Sequence, residues 1–108
     1  MSTAPKPQPS VQDPVTVDPK HYKVELENDR VRVLRISYGP HEKSVMHSHP
    51  ALVAVFLNNA HFKFTYPDGK TEEGRAEAGR VMSFPALSHL PENIGDDRFE
   101  VIAVELKA

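Results

Sequence analysis

From Tyr22 onward, the dominant pattern along the chain is alternation of apolar and polar residues. Tyr22, Val24 and Leu26 alternate with Lys23, Glu25 and Glu27, and Asn28-Asp29 then signals a turn. In the next run, Val31, Val33, Arg35 and Ser37 alternate with Arg32, Leu34, Ile36 and Tyr38, which predicts a strand partly buried on both faces. Gly39-Pro40 ends it. Leu52 to Leu57 is nearly all apolar and rich in Val and Phe, as expected of a strand covered on both sides. Past Asn58-Asn59, Phe62, Phe64 and Tyr66 alternate with His61, Lys63 and Thr65, and Pro67-Asp68-Gly69 closes the run. Val81 to Phe84 and Phe99 to Leu106 supply two further strands, and the charged stretch Thr71 to Glu77 suits a solvated hairpin arm. Phe56, Phe62, Phe64, Phe84 and Phe99 are the core candidates. Many short strands at turn spacings of about ten residues predict a small all-β sandwich or barrel.

The first twenty residues break this pattern. They hold five prolines (Pro5, Pro7, Pro9, Pro14, Pro19) and only Val11, Val15 and Val17 to bury. A segment with so little apolar surface cannot offset its ordering entropy alone. Residues 1–20 are therefore expected to be a proline-rich extended arm or tail, and residues 21–108 the barrel. A second reading has the three valines add a strand to the sheet edge of a partner in a homodimer. The length of 108 residues suits one domain.

Composition then excludes several classes of function. Thirteen Lys and Arg against fifteen Asp and Glu leave a net charge of −2, so no basic face is offered to nucleic acid. Without cysteine there are no disulfides, thiolate metal sites or cysteine nucleophiles. No apolar run approaches the roughly 20 residues of a membrane helix. The head MSTAPKPQPS lacks an apolar stretch after its charge, so a secretory leader is not expected and the cytoplasm is the expected compartment.

Histidine carries the candidate chemistry. Six occur, at positions 21, 41, 47, 49, 61 and 89. On a strand, His47 and His49 point to one face while Ser48 points away, which makes a two-point claw for a metal. His89 opens a second short segment in which Pro91 and Asn93 share its parity. His21 and His61 are expected at the surface. His41 lies in the loop ahead of the claw, where it would overhang the site as proton shuttle or substitute ligand.

These residues resemble the cupin superfamily. Gly39 to His49 (GPHEKSVMHSH) is similar to the first cupin motif, and Gly79 to Asn93 (GRVMSFPALSHLPEN) to the second. The gap of about thirty residues has the length of the usual hairpin between them. The phrases Met46 to Pro50 and His89 to Gly95 are close to those of small single-domain bacterial cupins, and the resemblance covers roughly residues 21–107. It implies a double-stranded β-helix, or jelly-roll barrel, with one divalent transition metal held by His47, His49 and His89. Iron is the expected metal, with zinc, manganese or nickel as alternatives. It also implies a homodimer.

One departure bears on the chemistry. The family's glutamate four residues past the second histidine is replaced here by Val53, followed by Ala54. Strand parity from His49 turns Val53 toward the metal unless Pro50 introduces a bulge. Three neutral imidazoles would leave the ion its full +2 charge and open positions for substrate. The expected function is a non-haem Fe(II) dioxygenase-type enzyme acting on a small molecule. The alternatives are a Zn-, Mn- or Ni-dependent hydrolase, lyase or isomerase with His41 or Glu92 as base, and a non-enzymatic binding protein.

Overall fold

The computed structural model describes residues 12–107. A single helical turn, α1 (Pro14–Val17), precedes nine strands: β1 (Tyr22–Glu27), β2 (Val31–Tyr38), β3 (His47–His49), β4 (Leu52–Phe56), β5 (Ala60–Thr65), β6 (Thr71–Ala76), β7 (Val81–Phe84), β8 (Leu87–Asn93) and β9 (Phe99–Leu106). They form a five-stranded sheet ordered β1-β2-β9-β4-β7 and a four-stranded sheet ordered β3-β8-β5-β6. The paired strands run antiparallel. Strands distant in sequence thus become neighbours, as β2 beside β9 and β3 beside β8, and the inner faces of the two sheets share one core.

That core follows the alternation in the sequence. Leu34 and Tyr38 from β2, Leu52, Ala54 and Phe56 from β4, and Phe99, Val101 and Ala103 from β9 are buried. Ala60 and Phe62 meet them from the other sheet, with Phe64 packed alongside. Phe56 and Phe62 stack with ring centroids 5.7 Å apart. Phe62 also lies across Gly74 on β6, where an added Cβ would fall 2.6 Å from its ring. The rest of β6 is largely exposed, as its charged sequence suggests.

The parity expected for β4 is overturned. His49 and Leu52 are both buried, whereas Pro50 is exposed and Ala51 sits in a bend. That bend adds one residue between inward positions, so Leu52, Ala54 and Phe56 face the core. Val53 faces the other way, opposite Ser83 and Val104 in the neighbouring strands.

The expectation for residues 1–20 also changes where the structure describes them. Residues 1–11, including Val11, lie outside the described residues. Residues 13–18 form a helical turn rather than an extended arm. Asp13 is its N-cap, accepting a 3.0 Å bond from the Val15 amide, and Pro14 at the first helical position presets φ. Pro14 is fully buried, and Val15 packs against the core of its own chain.

Candidate metal centre

The strand β3 is three residues long, and its register against β8 builds the site. His47 lies directly opposite His89, while His49 pairs with Leu87. Because residues two apart share a face, His47, His49 and His89 all turn inward, and all three are buried. Their ring centroids are 4.8, 4.9 and 5.2 Å apart, and each pair of rings is close to perpendicular. One ring nitrogen from each lies within 4.8 Å of the others. The structure therefore brings together the three residues that the resemblance nominated.

The hydrogen bonds around the cluster fix which nitrogen faces inward. His47 Nδ1 lies 2.9 Å from the Val45 carbonyl, which only accepts, so Nδ1 carries the proton. His49 Nδ1 donates to Glu105 Oε2 at 2.7 Å. In both rings Nε2 is left with its lone pair. His47 Nε2 and both nitrogens of His89 are buried without a hydrogen-bond partner. Such orphaned polar atoms are costly, by about 1–3 kcal/mol each, unless a ligand satisfies them.

Electrostatics agrees with neutral donors at His47 and His89. Burial, reinforced by the neighbouring His49, pushes the His47 imidazole down to about 4 and that of His89 down to about 2. Both rings are then neutral near pH 7, the form that coordinates metal. Burial works to raise the Glu105 carboxyl, but bonds from His49 and Arg32 prevail and hold it below its ordinary value. Three buried imidazoles with unpartnered nitrogens fit a divalent transition ion.

Other groups found here were not expected from the sequence. Glu105, at the end of β9, is buried and joins His49 to Arg32, whose Nε donates to Glu105 Oε1 at 2.9 Å. Ser44 Oγ lies 3.3 Å from His47 Nδ1 and donates to Asp18 Oδ2 at 2.5 Å. Tyr22 sets its ring against His47 at 4.8 Å and shares a 2.6 Å bond between hydroxyls with Tyr38. Phe64 packs against His89 at 4.4 Å. Glu105 has a legible signal: it continues the inward series Phe99, Val101, Ala103 as its one carboxylate.

The remaining histidines do not reach the cluster. His41 is exposed, sits at φ 62°, and pairs with Asp96 at 2.9 Å, so the expected overhang of the site is not formed. His61 faces Glu73 at the outer side of the β5–β6 pair. His21, expected at the surface, is buried: it stacks on Tyr38 at 4.3 Å and bonds Asp18 and Glu42. Glu92 pairs with Lys63 on an outer face. Asn93 is wholly buried and donates to the carbonyls of Gly39 and Asp97, tying down the turn that follows β8.

Beside His49 and His89 lies a cavity of about 70 Å³. Ile36, Leu52, Phe56, Phe62, Phe84 and Val101 are among its walls, together with Tyr22 and Tyr38. None of its lining residues is Lys, Arg, Asp or Glu. Among the described residues, no helix is long and apolar enough to cross a membrane.

No family model matches the sequence, and no curated protein matches it either. Solved structures do. A cupin domain from Bordetella pertussis is 24% identical, covers 81% of this chain and 92% of its own, and superposes with a TM-score of 0.74. An RmlC-like cupin with a double-stranded β-helix from Methanocaldococcus jannaschii is 20% identical, with 82% and 83% covered and a TM-score of 0.62. A polyketide cyclase from Streptomyces resistomycificus is 17% identical, with 79% and 63% covered and a TM-score of 0.59. The sheet order, the register of β3 on β8 and these superpositions agree: this chain has the cupin fold, a double-stranded β-helix.

Proposed function

We propose that the protein is a metal-dependent enzyme of the non-haem Fe(II) dioxygenase type, acting on a small, largely apolar molecule. The observation that carries this reading is the pairing of three buried, partly unpartnered imidazoles, those of His47 and His89 held neutral by burial, with an adjoining apolar cavity. His47, His49 and His89 would hold the ion. When bound, ferrous iron supplies dioxygen and substrate activation at a centre whose ligands carry no charge.

The rest of the reading concerns the chain's own side chains. Glu105 fixes the His49 ring and stabilises its Nδ1 proton, and the Val45 carbonyl does the same for His47. The aromatic walls exclude water, which strengthens the electrostatic interactions within the site. A cavity of about 70 Å³ suits a small molecule. Away from the ion, the walls offer no cationic side chain to pair a carboxylate or phosphate, and burying such a group against them is costly. Small phenols and diketones meet these limits.

A second reading is a Zn-, Mn- or Ni-dependent hydrolase, lyase or isomerase, and the polyketide cyclase with this fold is a neighbour whose named activity is not an oxidation. This reading needs a general base, and the two nominated from sequence, His41 and Glu92, are engaged with Asp96 and Lys63 away from the cavity. A binding protein without turnover is the third reading. A cytoplasmic homodimer completes the proposal.

Elemental analysis of the protein purified without added metal, beside its His89→Ala variant, tests this. Iron near one per chain, lost in the variant, together with oxygen uptake on small phenols or diketones, would support the dioxygenase. Zinc, manganese or nickel with turnover independent of oxygen would establish the second reading. Absence of metal from both proteins after reconstitution would overturn the metal centre.

A further inference from the structure

The turn ahead of the barrel reaches the histidine cluster by three separate routes. The Gln12 carbonyl accepts a 2.8 Å bond from the amide of Ser48, the residue between His47 and His49. Asp13 grips the Arg32 guanidinium with two bonds of 2.9 Å. Arg32 passes this on to Glu105 at 2.9 Å, and Glu105 to His49 Nδ1 at 2.7 Å. At the other end of α1, Asp18 accepts from Ser44 Oγ, which in turn lies 3.3 Å from His47 Nδ1. The two carboxylates that bracket one helical turn thus act on two different histidines of the cluster.

A four-residue helical turn has no stability of its own. Its order here comes from the seating of Pro14 and Val15 and from these polar chains. The Asp13 chain sets ring orientation and the Nδ1 proton of His49 through Glu105, and the Asp18–Ser44 chain adds a second acceptor beside the His47 Nδ1 proton that the Val45 carbonyl holds. Partners of this kind typically change metal affinity by about 10–100-fold. Any ligand that favours the oriented rings must also favour the docked turn, by the reciprocity of linked equilibria.

We propose that residues 12–18 form a clasp on the metal centre, whose docking and metal binding strengthen each other. This rests on the metal reading above. Zn(II) serves as the probe, with its dissociation constant measured by chelator competition on the full chain and on Asp13→Asn and Ser44→Ala. Asp13→Asn keeps an N-cap acceptor but loses the charge facing Arg32, and Ser44→Ala cuts only the route to His47. Each is expected to weaken Zn(II) by about tenfold or more. In the wild type, Zn(II) is expected to slow amide hydrogen exchange at Asp18 and Ser48, whose N–H groups bond Pro14 and Gln12.

Exchange at those two amides that Zn(II) leaves unchanged would overturn the clasp, whatever the variants do to affinity. Unaltered Zn(II) affinity in both variants would do the same while leaving the metal centre standing. If either variant loses amide protection throughout β9, its fold has failed and the wild-type exchange result decides. A wild-type chain that binds neither Zn(II) nor Co(II) would remove the metal reading and the clasp together.

Discussion

His49 Nδ1 and Glu105 Oε2 lie 2.7 Å apart with both side chains almost wholly buried, and they join β3 of one sheet to β9 of the other. The same carboxylate pairs with Arg32, so its removal leaves a mostly buried guanidinium with only the half-exposed Asp13 as partner. Glu105→Ala should therefore destabilise the metal-free protein by about 3–5 kcal/mol, the usual cost of breaking a buried pair. Glu105→Gln, which keeps an acceptor for one partner, should cost less. Both should weaken metal about 10–100-fold. Urea midpoints and chelator competition measure the two effects. A Glu105→Ala variant with wild-type stability would show that Arg32 is sufficiently paired by Asp13 alone.

The depressed imidazoles of His47 and His89 make metal-free stability depend on pH. Unfolded, both take up protons near 6.5; folded, they do so near 4 and 2. Between those values the unfolded chain binds more protons, so stability is intact above about pH 6.5 and falls as the pH falls. Two such groups give a slope of at most about 3 kcal/mol per pH unit. Glu105, held below its ordinary value, adds a further loss at lower pH. Urea unfolding at pH 7 and pH 5 in the presence of a chelator should show a lower midpoint at pH 5. Equal midpoints would mean that these rings titrate in the fold as they do in solvent.

What the sequence made legible had a local period. His47 and His49 are two apart on a strand, and the inward parity of His89, Pro91 and Asn93 follows from the same rule. The β strands from Tyr22 onward were marked by alternation and turn residues. Parity alone turns Val53 inward, but the bend at Pro50 and Ala51 consumes one residue, and a one-residue slip turns every later side chain over. Asp13 before Pro14 is a helix-start signature, yet the scarcity of apolar residues around it argued for an extended arm. The Glu105–His49 contact spans 56 positions, and only the pairing of β4 with β9 brings it about.

His21 belongs to the fold and not to the metal site. Its ring lies parallel to Tyr38 with centroids 4.3 Å apart, and its nitrogens bond Asp18 and Glu42. His21→Ala leaves Asp18 short of a partner and opens a gap over Tyr38, at a cost of about 1–3 kcal/mol. His41→Ala, at an exposed site, should cost less than about 0.5 kcal/mol. Thermal unfolding of the two variants beside the wild type should separate them clearly. Equal loss in both would mean that the buried contacts of His21 contribute nothing net.

Val53 and Ala54 provide the test of register at the site. Val53 sits on the outer side of β4, whereas Ala54 is buried and lines the cavity beside His49 and His89. Val53→Glu should fold and leave metal affinity within about twofold of wild type, because its carboxylate stays in the half-exposed outer layer. Ala54→Glu would place a carboxylate among apolar walls, which destabilises the metal-free chain strongly unless the carboxyl takes a proton. Its urea midpoint should therefore recover partly as the pH is lowered toward 5, opposite in sign to the histidine effect. Chelator competition on Val53→Glu decides the register. A marked gain in affinity there would mean that Val53, and not Ala54, turns toward the histidines, and that the bend at Pro50 and Ala51 does not shift the parity of β4.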